Sequence, residues 1–178
     1  VDADGHDDVV IGNYYDSTAS PGDVFFFSGA TLGASAVYGL EEDADFRLQG
    51  DAVGDYLGYS AAAADVDMDG HVELFVSAAG ATLEGADRAG CVYMIRSAST
   101  DMLAGLSMPV ADAASFKICS STAHARLGRN AAPQLFDVNG GKEILLDHAL
   151  TDEDRVLKVV TTPRHECDHH VTTKCKFT

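Results

Sequence analysis

The chain has 178 residues, and 46% of them are hydrophobic, so it can bury a sizeable core and general disorder is excluded. Its formal net charge of -16 argues against nucleic acid and anionic membrane surfaces as partners, since both need a basic surface. The sequence contains no apolar run of about 18 residues, so it predicts no membrane span.

Two acidic loops with the same spacing stand out along the chain. In the second loop, carboxylates occupy loop positions 1, 3, 5 and 9, a glycine occupies position 6 and a histidine position 7. These residues are Asp65, Asp67, Asp69, Glu73, Gly70 and His71, and their counterparts in the first loop are Asp2, Asp4, Asp8, Gly5 and His6, with position 1 missing. Alternating carboxylates around a glycine turn supply the oxygen ligands that Ca²⁺ requires. Because the chain begins inside the first loop, we expect it to be a piece of a longer polypeptide.

Two other interpretations compete with calcium binding at these loops. An EF-hand also begins Asp-x-Asp-x-Asp-Gly, but it requires a Glu at position 12 and flanking helices. Position 12 is Val76 in the second loop and Ile11 in the first, and both lie in β-like apolar runs. The EF-hand is therefore excluded. A solvated acidic turn without metal remains the alternative, since turns favour Asp and Gly.

The sequence is internally repeated, which indicates a repeat architecture. Five segments recur in the same order about 65–72 residues later. The pairs are Asp2–His6 with Asp67–His71, Gly22–Phe27 with Gly90–Ile95, Phe46–Leu48 with Phe116–Ile118, Leu57–Ser60 with Leu127–Asn130, and Asp65–Asp67 with Asp137–Asn139. The chain therefore holds somewhat less than three copies of one unit.

Within the second copy, apolar and β-branched runs predict four strands at about 56–64, 73–79, 91–96 and 116–119. Runs such as Val24–Phe27 are apolar on both faces, so we expect these strands to be covered on both sides. Four short antiparallel strands per repeat are typical of a propeller blade. A helical turn over Ala61–Ala64 is the alternative for the first strand, since Ala is the best helix former, and a short helix is possible within Thr100–Met108.

We therefore predict an all-β fold, a partial β-propeller of about two and a half to three four-stranded antiparallel blades. Residues 1–50 form a first blade that lacks its inner strand, residues 51–120 a second blade, and residues 121–178 a degenerate third blade and tail. Strands of the third copy are expected at Ile144–Leu146 and Val156–Val160, and Thr173–Phe177 could supply the fourth. The third loop, Asp137–Glu143, has lost the position-5 Asp, so metal binding there is not expected.

The motifs resemble the FG-GAP repeats of the integrin α-chain β-propeller and its bacterial relatives. That unit combines a Leu/Phe-Gly-x-Ser strand, an acidic calcium loop, an apolar strand and a Gly-x-Val-Tyr/Phe strand. Here those segments are Leu57–Ser60, Asp65–Glu73, Leu74–Ser77 and Gly90–Tyr93. Because Ser77–Ala79 replaces the usual Gly-Ala-Pro, the chain resembles bacterial-type members more than animal integrins.

The resemblance implies that the loop metal is Ca²⁺, held by side chains at positions 1, 3, 5 and 9 and the main-chain oxygen at 7. In the second loop the ligands would be Asp65, Asp67, Asp69, His71 through its backbone oxygen, and Glu73; in the first, Asp2, Asp4, His6 through its backbone oxygen, and Asp8. Calcium would brace the loop rather than act in catalysis.

The resemblance implies an extracellular or cell-surface scaffold for adhesion or for a protein or carbohydrate ligand on the propeller face, which is expected to need further blades from its parent polypeptide. The sequence contains no nucleophile elbow, His-Glu-x-x-His helix or phosphate-binding glycine loop, so no enzymatic activity is predicted. A non-catalytic propeller attached to a secreted hydrolase or lyase is the alternative. A decayed fragment without a function of its own is a third.

Four cysteines fit either a reducing or an oxidising compartment. Cys91 and Cys119 fall on neighbouring predicted strands, so they either pair or stay as two buried thiols. Cys167 and Cys175 lie in a histidine-containing tail whose spacing matches no common zinc finger, which favours a surface tail or a local disulfide over zinc.

Overall fold

The computed structural model describes residues 4–15, 19–33, 37–66, 69–96 and 107–129, and the backbone of five further strands between residues 134 and 176. The first eight strands are β1 Val9–Asn13, β2 Asp23–Phe27, β3 Phe46–Gln49, β4 Leu57–Ala64, β5 Glu73–Ala78, β6 Cys91–Ile95, β7 Ser107–Pro109 and β8 Phe116–Cys119. The last five are β9 Gln134–Val138, β10 Gly141–His148, β11 Arg155–Val160, β12 Glu166–Asp168 and β13 Lys174–Lys176. A four-residue helix, α1, spans Val110–Ala113. Across the described residues, no helix has the length and apolarity needed to cross a membrane.

The second sheet contains the four strands predicted for the second copy, in the order β4-β5-β6-β8 with every neighbouring pair antiparallel. Their bounds agree with the predicted ones to within about two residues. Ala61–Ala64 belongs to β4 and pairs with Glu73–Val76, so the helical turn considered for it is wrong. The register shifts between Leu57 and Ala61, which marks a bulge near the start of β4.

The central strands of both sheets are buried on both faces, as predicted. Every residue of β2, β5 and β6 is buried. Leu74, Val76 and Tyr93 point to a core that they share with β2 and β3 of the first sheet. Phe75 and Val92 point the other way and pack in a second cluster, which includes Leu127 of the third copy. Alternating side chains of one sheet thus contribute to two hydrophobic layers.

The first sheet has the order β1-β2-β3-β7 and departs from the predicted antiparallel blade at one edge. β1, β2 and β3 are antiparallel, whereas β7 pairs in parallel with β3, with Leu48 opposite Met108. β7 comes from the long connection between β6 and β8 of the second sheet. The expectation of purely antiparallel sheets is wrong here, because this connection is long enough to reach a neighbouring sheet and add a parallel strand.

The third copy forms a three-stranded antiparallel sheet in the order β11-β10-β9. β10 and β11 contain the predicted segments Ile144–Leu146 and Val156–Val160. One of the two alternatives for Thr173–Phe177 was a fourth strand of this sheet, but β13 in that segment pairs with β12 instead.

Successive units meet through the same contact. A Cβ added to Gly22 would lie 2.4 Å from the backbone nitrogen of Leu57, and one added to Gly90 would lie 2.2 Å from that of Leu127. In each case the leucine N–H donates a 3.0 Å hydrogen bond to the carbonyl of the residue before that glycine. The repeat seen in the sequence is therefore also a repeat of inter-unit geometry.

A cation over an aromatic ring recurs between the third and fourth strands of the first and second units. The Arg47 guanidinium lies 5.4 Å from the Phe25 ring centre, and Lys117 Nζ lies 4.7 Å from that of Tyr93. Arg47 also makes a two-pronged ion pair with the buried carboxylate of Asp23, at 2.9 Å on each side. Such contacts stabilise a strand pair beyond its hydrophobic burial.

Asp55 is a buried acid that makes stability depend on pH. Burial, reinforced by the nearby charge of Asp51, raises the pKa of the Asp55 carboxyl above its usual 3.8, although the Ala52 N–H, which donates to it at 3.0 Å, opposes the shift. The folded state therefore binds a proton that the unfolded state has released, so stability falls as pH rises from about 4 through the raised pKa. We expect Asp55→Asn, which keeps an acceptor for Ala52, to remove this fall and to be the more stable protein at pH 7.

Urea unfolding at several pH values between 4 and 7 measures this difference. Asp112→Asn, at an exposed acid in α1, is the control and should leave the slope unchanged. Parallel stability curves for the wild type and Asp55→Asn would contradict the assignment.

Candidate metal-binding loops

The second acidic loop lies between β4 and β5, at the end of the sheet where β4 finishes. Asp65 directly follows β4, Asp69 and His71 are exposed in the loop, and Glu73 is the first residue of β5. Asp67 lies outside the described residues. The structure thus places four of the five predicted ligand residues on one hairpin connection.

Backbone donors hold the carboxylates of this loop in place. The Gly70 N–H donates to Asp65 Oδ2 at 3.2 Å, and the His71 N–H donates to Asp69 Oδ1 at 2.8 Å. Gly70 has a φ of +90°, a conformation that glycine adopts without steric cost. The glycine at position 6 is therefore explained by the turn itself.

Glu73 has a bracing role that the sequence did not reveal. Its side chain is 2% exposed, and its Oε2 accepts a 2.9 Å hydrogen bond from the Val66 N–H across the loop. One carboxylate oxygen thus ties the end of the loop to its beginning. A backbone donor leaves no signature in a sequence, so the partner Val66 could not be predicted.

The first acidic loop, which precedes β1, repeats this turn. Gly5 has a φ of +89°, and the His6 N–H donates to Asp4 Oδ1 at 2.8 Å, as the His71 N–H does to Asp69. At position 9, Asp8 Oδ1 accepts a 3.0 Å hydrogen bond from the Gly29 N–H in the β2–β3 connection. Asp2 lies outside the described residues. The shorter acid at position 9 is therefore tied to a neighbouring connection.

In the third copy the connection at this position is shorter. Only residues 139 and 140 separate β9 from β10, because Val138 pairs directly with Gly141. The Asn-Gly sequence at these two positions is typical of a tight hairpin. Asp137 and Glu143 consequently belong to paired strands.

The available donors suit a hard cation. They are carboxylate oxygens and a main-chain carbonyl, which is the ligand chemistry of Ca²⁺ rather than of zinc or copper. One oxygen of Asp65, Oδ1, is fully shielded from solvent. Among the described residues, which lack Asp2 and Asp67, no three Asp, Glu, His or Cys side chains converge closely enough to hold a metal ion.

Residues 57–93 match the family model described as FG-GAP repeat. The match begins at the first residue of β4, contains the second acidic loop and ends in β6. Over these residues the chain is similar to an FG-GAP repeat. The resemblance proposed from the motifs of the second copy is therefore confirmed. A comparison of the chain with curated proteins found no match.

A disulfide joins Cys91 of β6 to Cys119 of β8 in the sheet of the FG-GAP repeat, where the two residues are directly opposite. Of the two alternatives for these cysteines, the disulfide is therefore confirmed and the pair of buried free thiols is wrong. In the tail, Cys167 is opposite Cys175 in the β12–β13 pair. This register is compatible with the local disulfide considered for them.

Proposed function

We propose that this chain is a non-catalytic, calcium-binding scaffold, part of a β-propeller built from FG-GAP repeats, that works outside the cell in adhesion or ligand binding. The observation that carries the proposal is the recurrence of one loop geometry in two successive units. Both loops have a glycine near φ +90° followed by a histidine N–H that donates to the preceding aspartate at 2.8 Å. A turn needed only for chain reversal would not have to keep acids at the same positions.

The propeller part of the proposal is supported by how the sheets meet. Two glycine–leucine contacts of the same geometry join successive units, so the same step is applied twice along the chain. A repeated step between sheets of short strands is how propeller blades are arranged. The two-sided burial of β2, β5 and β6 fits sheets that are stacked between neighbours.

Calcium would act on stability. Asp65, Asp69 and Glu73 bring like charges into one short connection, and a bound cation would offset their repulsion while fixing the β4–β5 hairpin. Because only the folded loop assembles the ligands, binding free energy adds to folding free energy. The Cys91–Cys119 disulfide supports the extracellular placement, since disulfides persist in oxidising compartments.

Thermal unfolding with and without calcium tests this function. Extracellular calcium modules bind with Kd of about 0.1–1 mM, so 10 mM Ca²⁺ should stabilise the chain by roughly 1.4–2.7 kcal/mol per site relative to EGTA. For a chain of this length that corresponds to a rise in Tm of about 3–10 °C per site. Asp67→Ala with Asp69→Ala should abolish the part that comes from the second loop.

Asp112→Ala is the matched control, because it removes an exposed carboxylate far from either loop along the chain and should leave the calcium response intact. Mg²⁺ at the same concentration should give a smaller rise, since Mg²⁺ gives up its water reluctantly. An unchanged Tm on chelation would disprove the calcium proposal.

A further inference from the structure

A concave pocket of about 340 Å³ lies at the end of the sheets opposite the acidic loops. It is bordered by residues that follow β1, β5 and β8, by residues at the start of β4 and by a residue that precedes β6. Leu57 at the start of β4 pairs with Ala78 at the end of β5, and Ala78 pairs with Cys91 at the start of β6, so these ends coincide. The volume is within the range of small-molecule sites.

One part of the pocket wall is aromatic. Its tyrosines are Tyr14, Tyr15, Tyr56 and Tyr59. Tyr14 packs on Tyr59 with ring centres 4.6 Å apart, and Tyr15 faces Tyr56 at 6.1 Å. Tyr14 and Tyr15 are 44% and 53% exposed. Exposed tyrosine rings offer an apolar face together with a hydroxyl at the edge, a combination that suits a ring-shaped ligand.

The rest of the pocket is cationic, which is unexpected in a chain with a net charge of -16. Arg88, Arg126 and Arg129 line it. Within the described part of the chain, no carboxylate forms an ion pair with any of these three guanidiniums, whereas Arg47 is paired with Asp23. The three arginines therefore keep their bidentate donor capacity for another oxyanion.

The backbone at the pocket is held in an uncommon conformation. Tyr56, Arg88 and Arg126 have φ of 57°, 48° and 50°, and they are three of the five non-glycine residues with positive φ in the described regions. The Arg126 N–H donates to the Arg88 carbonyl at 3.0 Å, which locks two of these turns together. Strained residues of this kind cluster at ligand sites more than elsewhere.

The repeat explains why the pocket exists. By the repeat register, Tyr56 and Tyr59 correspond to Arg126 and Arg129 in the next unit. Likewise, Tyr14 and Tyr15, the first two residues after β1, correspond to Ala79 and Gly80, the first two residues after β5. The alanine and glycine leave a space that two tyrosine side chains would otherwise fill. Arg126 and Arg129 occupy the positions that tyrosines have in the preceding unit. The pocket therefore arises from sequence differences between units and not from the shared scaffold.

We propose that this pocket binds a small oxyanion carried on a ring, with arginine forks on the carboxylate, sulfate or phosphate group and tyrosine faces on the ring. The inference rests on the proposed function as a ligand-binding scaffold and specifies the ligand class. Tyr59, the pocket residue farthest along β4, precedes Asp65 of the second acidic loop by six residues, which is roughly 20 Å along a strand. Oxyanion binding and calcium binding are thus separate events.

Isothermal titration calorimetry on the 178-residue chain tests this with four compounds. Glucuronate and benzoate carry a carboxylate on a sugar ring and on an aromatic ring, glucose is the sugar ring without the charge, and inorganic sulfate is a charge without the ring. We expect glucuronate or benzoate to bind at least about tenfold more tightly than both glucose and sulfate, because a charge-assisted hydrogen bond alone accounts for about that factor. Which of the two binds identifies the ring. If neither glucuronate nor benzoate binds more tightly than glucose and sulfate, or if none of the four binds, the proposal is overturned.

Variants separate the pocket from nonspecific charge effects. Arg126→Gln with Arg129→Gln should weaken binding roughly 10–100-fold, from the loss of charged hydrogen bonds. The control is Arg96→Gln, which makes the same substitution and removes one positive charge at an exposed position just beyond β6, at the acidic-loop end, and should not change binding. Tyr14→Ser, at an exposed ring, provides a second variant if the double variant fails to fold. Binding that survives both pocket variants would disprove the site.

Tyrosine fluorescence gives a local readout for glucuronate, because the chain has no Trp and four of its six Tyr line the pocket. Titrations in Ca²⁺ and in EGTA, below the Tm of both states, distinguish this inference from the calcium proposal. Glucuronate binding without a calcium-dependent Tm would leave the pocket supported and the calcium loops disproved. A calcium-dependent Tm with no binding of either glucuronate or benzoate would overturn only the pocket.

Discussion

Replacing Gly58 by alanine is expected to lower the free energy of unfolding by about 3–5 kcal/mol, because the new methyl group meets two unfavourable conditions at once. Gly58 has a φ of +84°, which costs an L-residue about 1–2 kcal/mol. Its added Cβ would also lie 2.4 Å from the Asp23 carbonyl oxygen and 2.9 Å from the Gly12 Cα. Backbone atoms cannot rotate away as a side chain can, so the two sheets would have to separate.

Alanine substitutions at two other glycines measure the conformational cost and the steric clash separately. Gly54 has a φ of +88° with nothing within 4 Å of an added Cβ, so Gly54→Ala measures the conformational cost and should destabilise by about 1 kcal/mol. An alanine Cβ at Gly12 would lie 2.1 Å from the Gly58 carbonyl oxygen, without a positive φ, so Gly12→Ala measures the clash. Urea unfolding of the three variants gives the values. If Gly58→Ala cost no more than Gly54→Ala, close packing of β1 against β4 would not be important for stability.

The strands of the second unit could be predicted because their signals are local. Apolar runs bounded by Gly and Asp fix where β5 and β6 begin and end, and apolar residues at every position indicate burial on both faces. Internal repetition strengthened the prediction, since the same pattern occurred twice. Leu57–Ser60 and Gly90–Tyr93 were recognised for this reason, and they lie in the FG-GAP match.

The edge of the first sheet could not be predicted, because it depends on a contact between distant parts of the chain. β7 pairs with β3 across about 60 residues, and the short segment Ser107–Pro109 has no strand-like alternation of its own. The tail shows the same difficulty. Lys174–Lys176 has suitable composition for an added strand, but composition does not say whether β11 or β12 is its partner.

At the candidate sites, the spacing of residues in the sequence predicted their positions in the loop, but it did not predict which groups their side chains contact. The positions of Gly70 and Asp69 in the turn follow from the loop pattern, whereas the hydrogen bond from Val66 to Glu73 depends on burial. The tyrosine and arginine pocket was missed because its residues come from three separate connections and a strand start. Comparing equivalent positions of the repeat, where arginines replace Tyr56 and Tyr59, was the sequence signal that could have found it.

Removing the Cys91–Cys119 disulfide is expected to destabilise the chain by about 3–4 kcal/mol. The bond closes a loop with a sequence separation of 28, and loop-closure entropy of the unfolded chain increases with that length. The double variant Cys91→Ala with Cys119→Ala removes the bond and leaves the β6–β8 hydrogen bonding in place, so the loss should come mainly from the unfolded state. Urea unfolding of the oxidised wild type and the double variant measures it.

Dithiothreitol supplies the control for this prediction, because it should lower the stability of the wild type towards that of the double variant. In the double variant it can act only on Cys167 and Cys175, and any residual effect there is subtracted. Thiol counting in denaturant checks the bond itself, since at most two of the four cysteines should react before reduction. Four reactive thiols, together with equal stability of the wild type and the double variant, would show that β6 and β8 are held by hydrogen bonds and packing alone. Strand β8 would then be the element of the FG-GAP sheet that exchanges amide hydrogens first, because it is a four-residue edge strand with no buried residue.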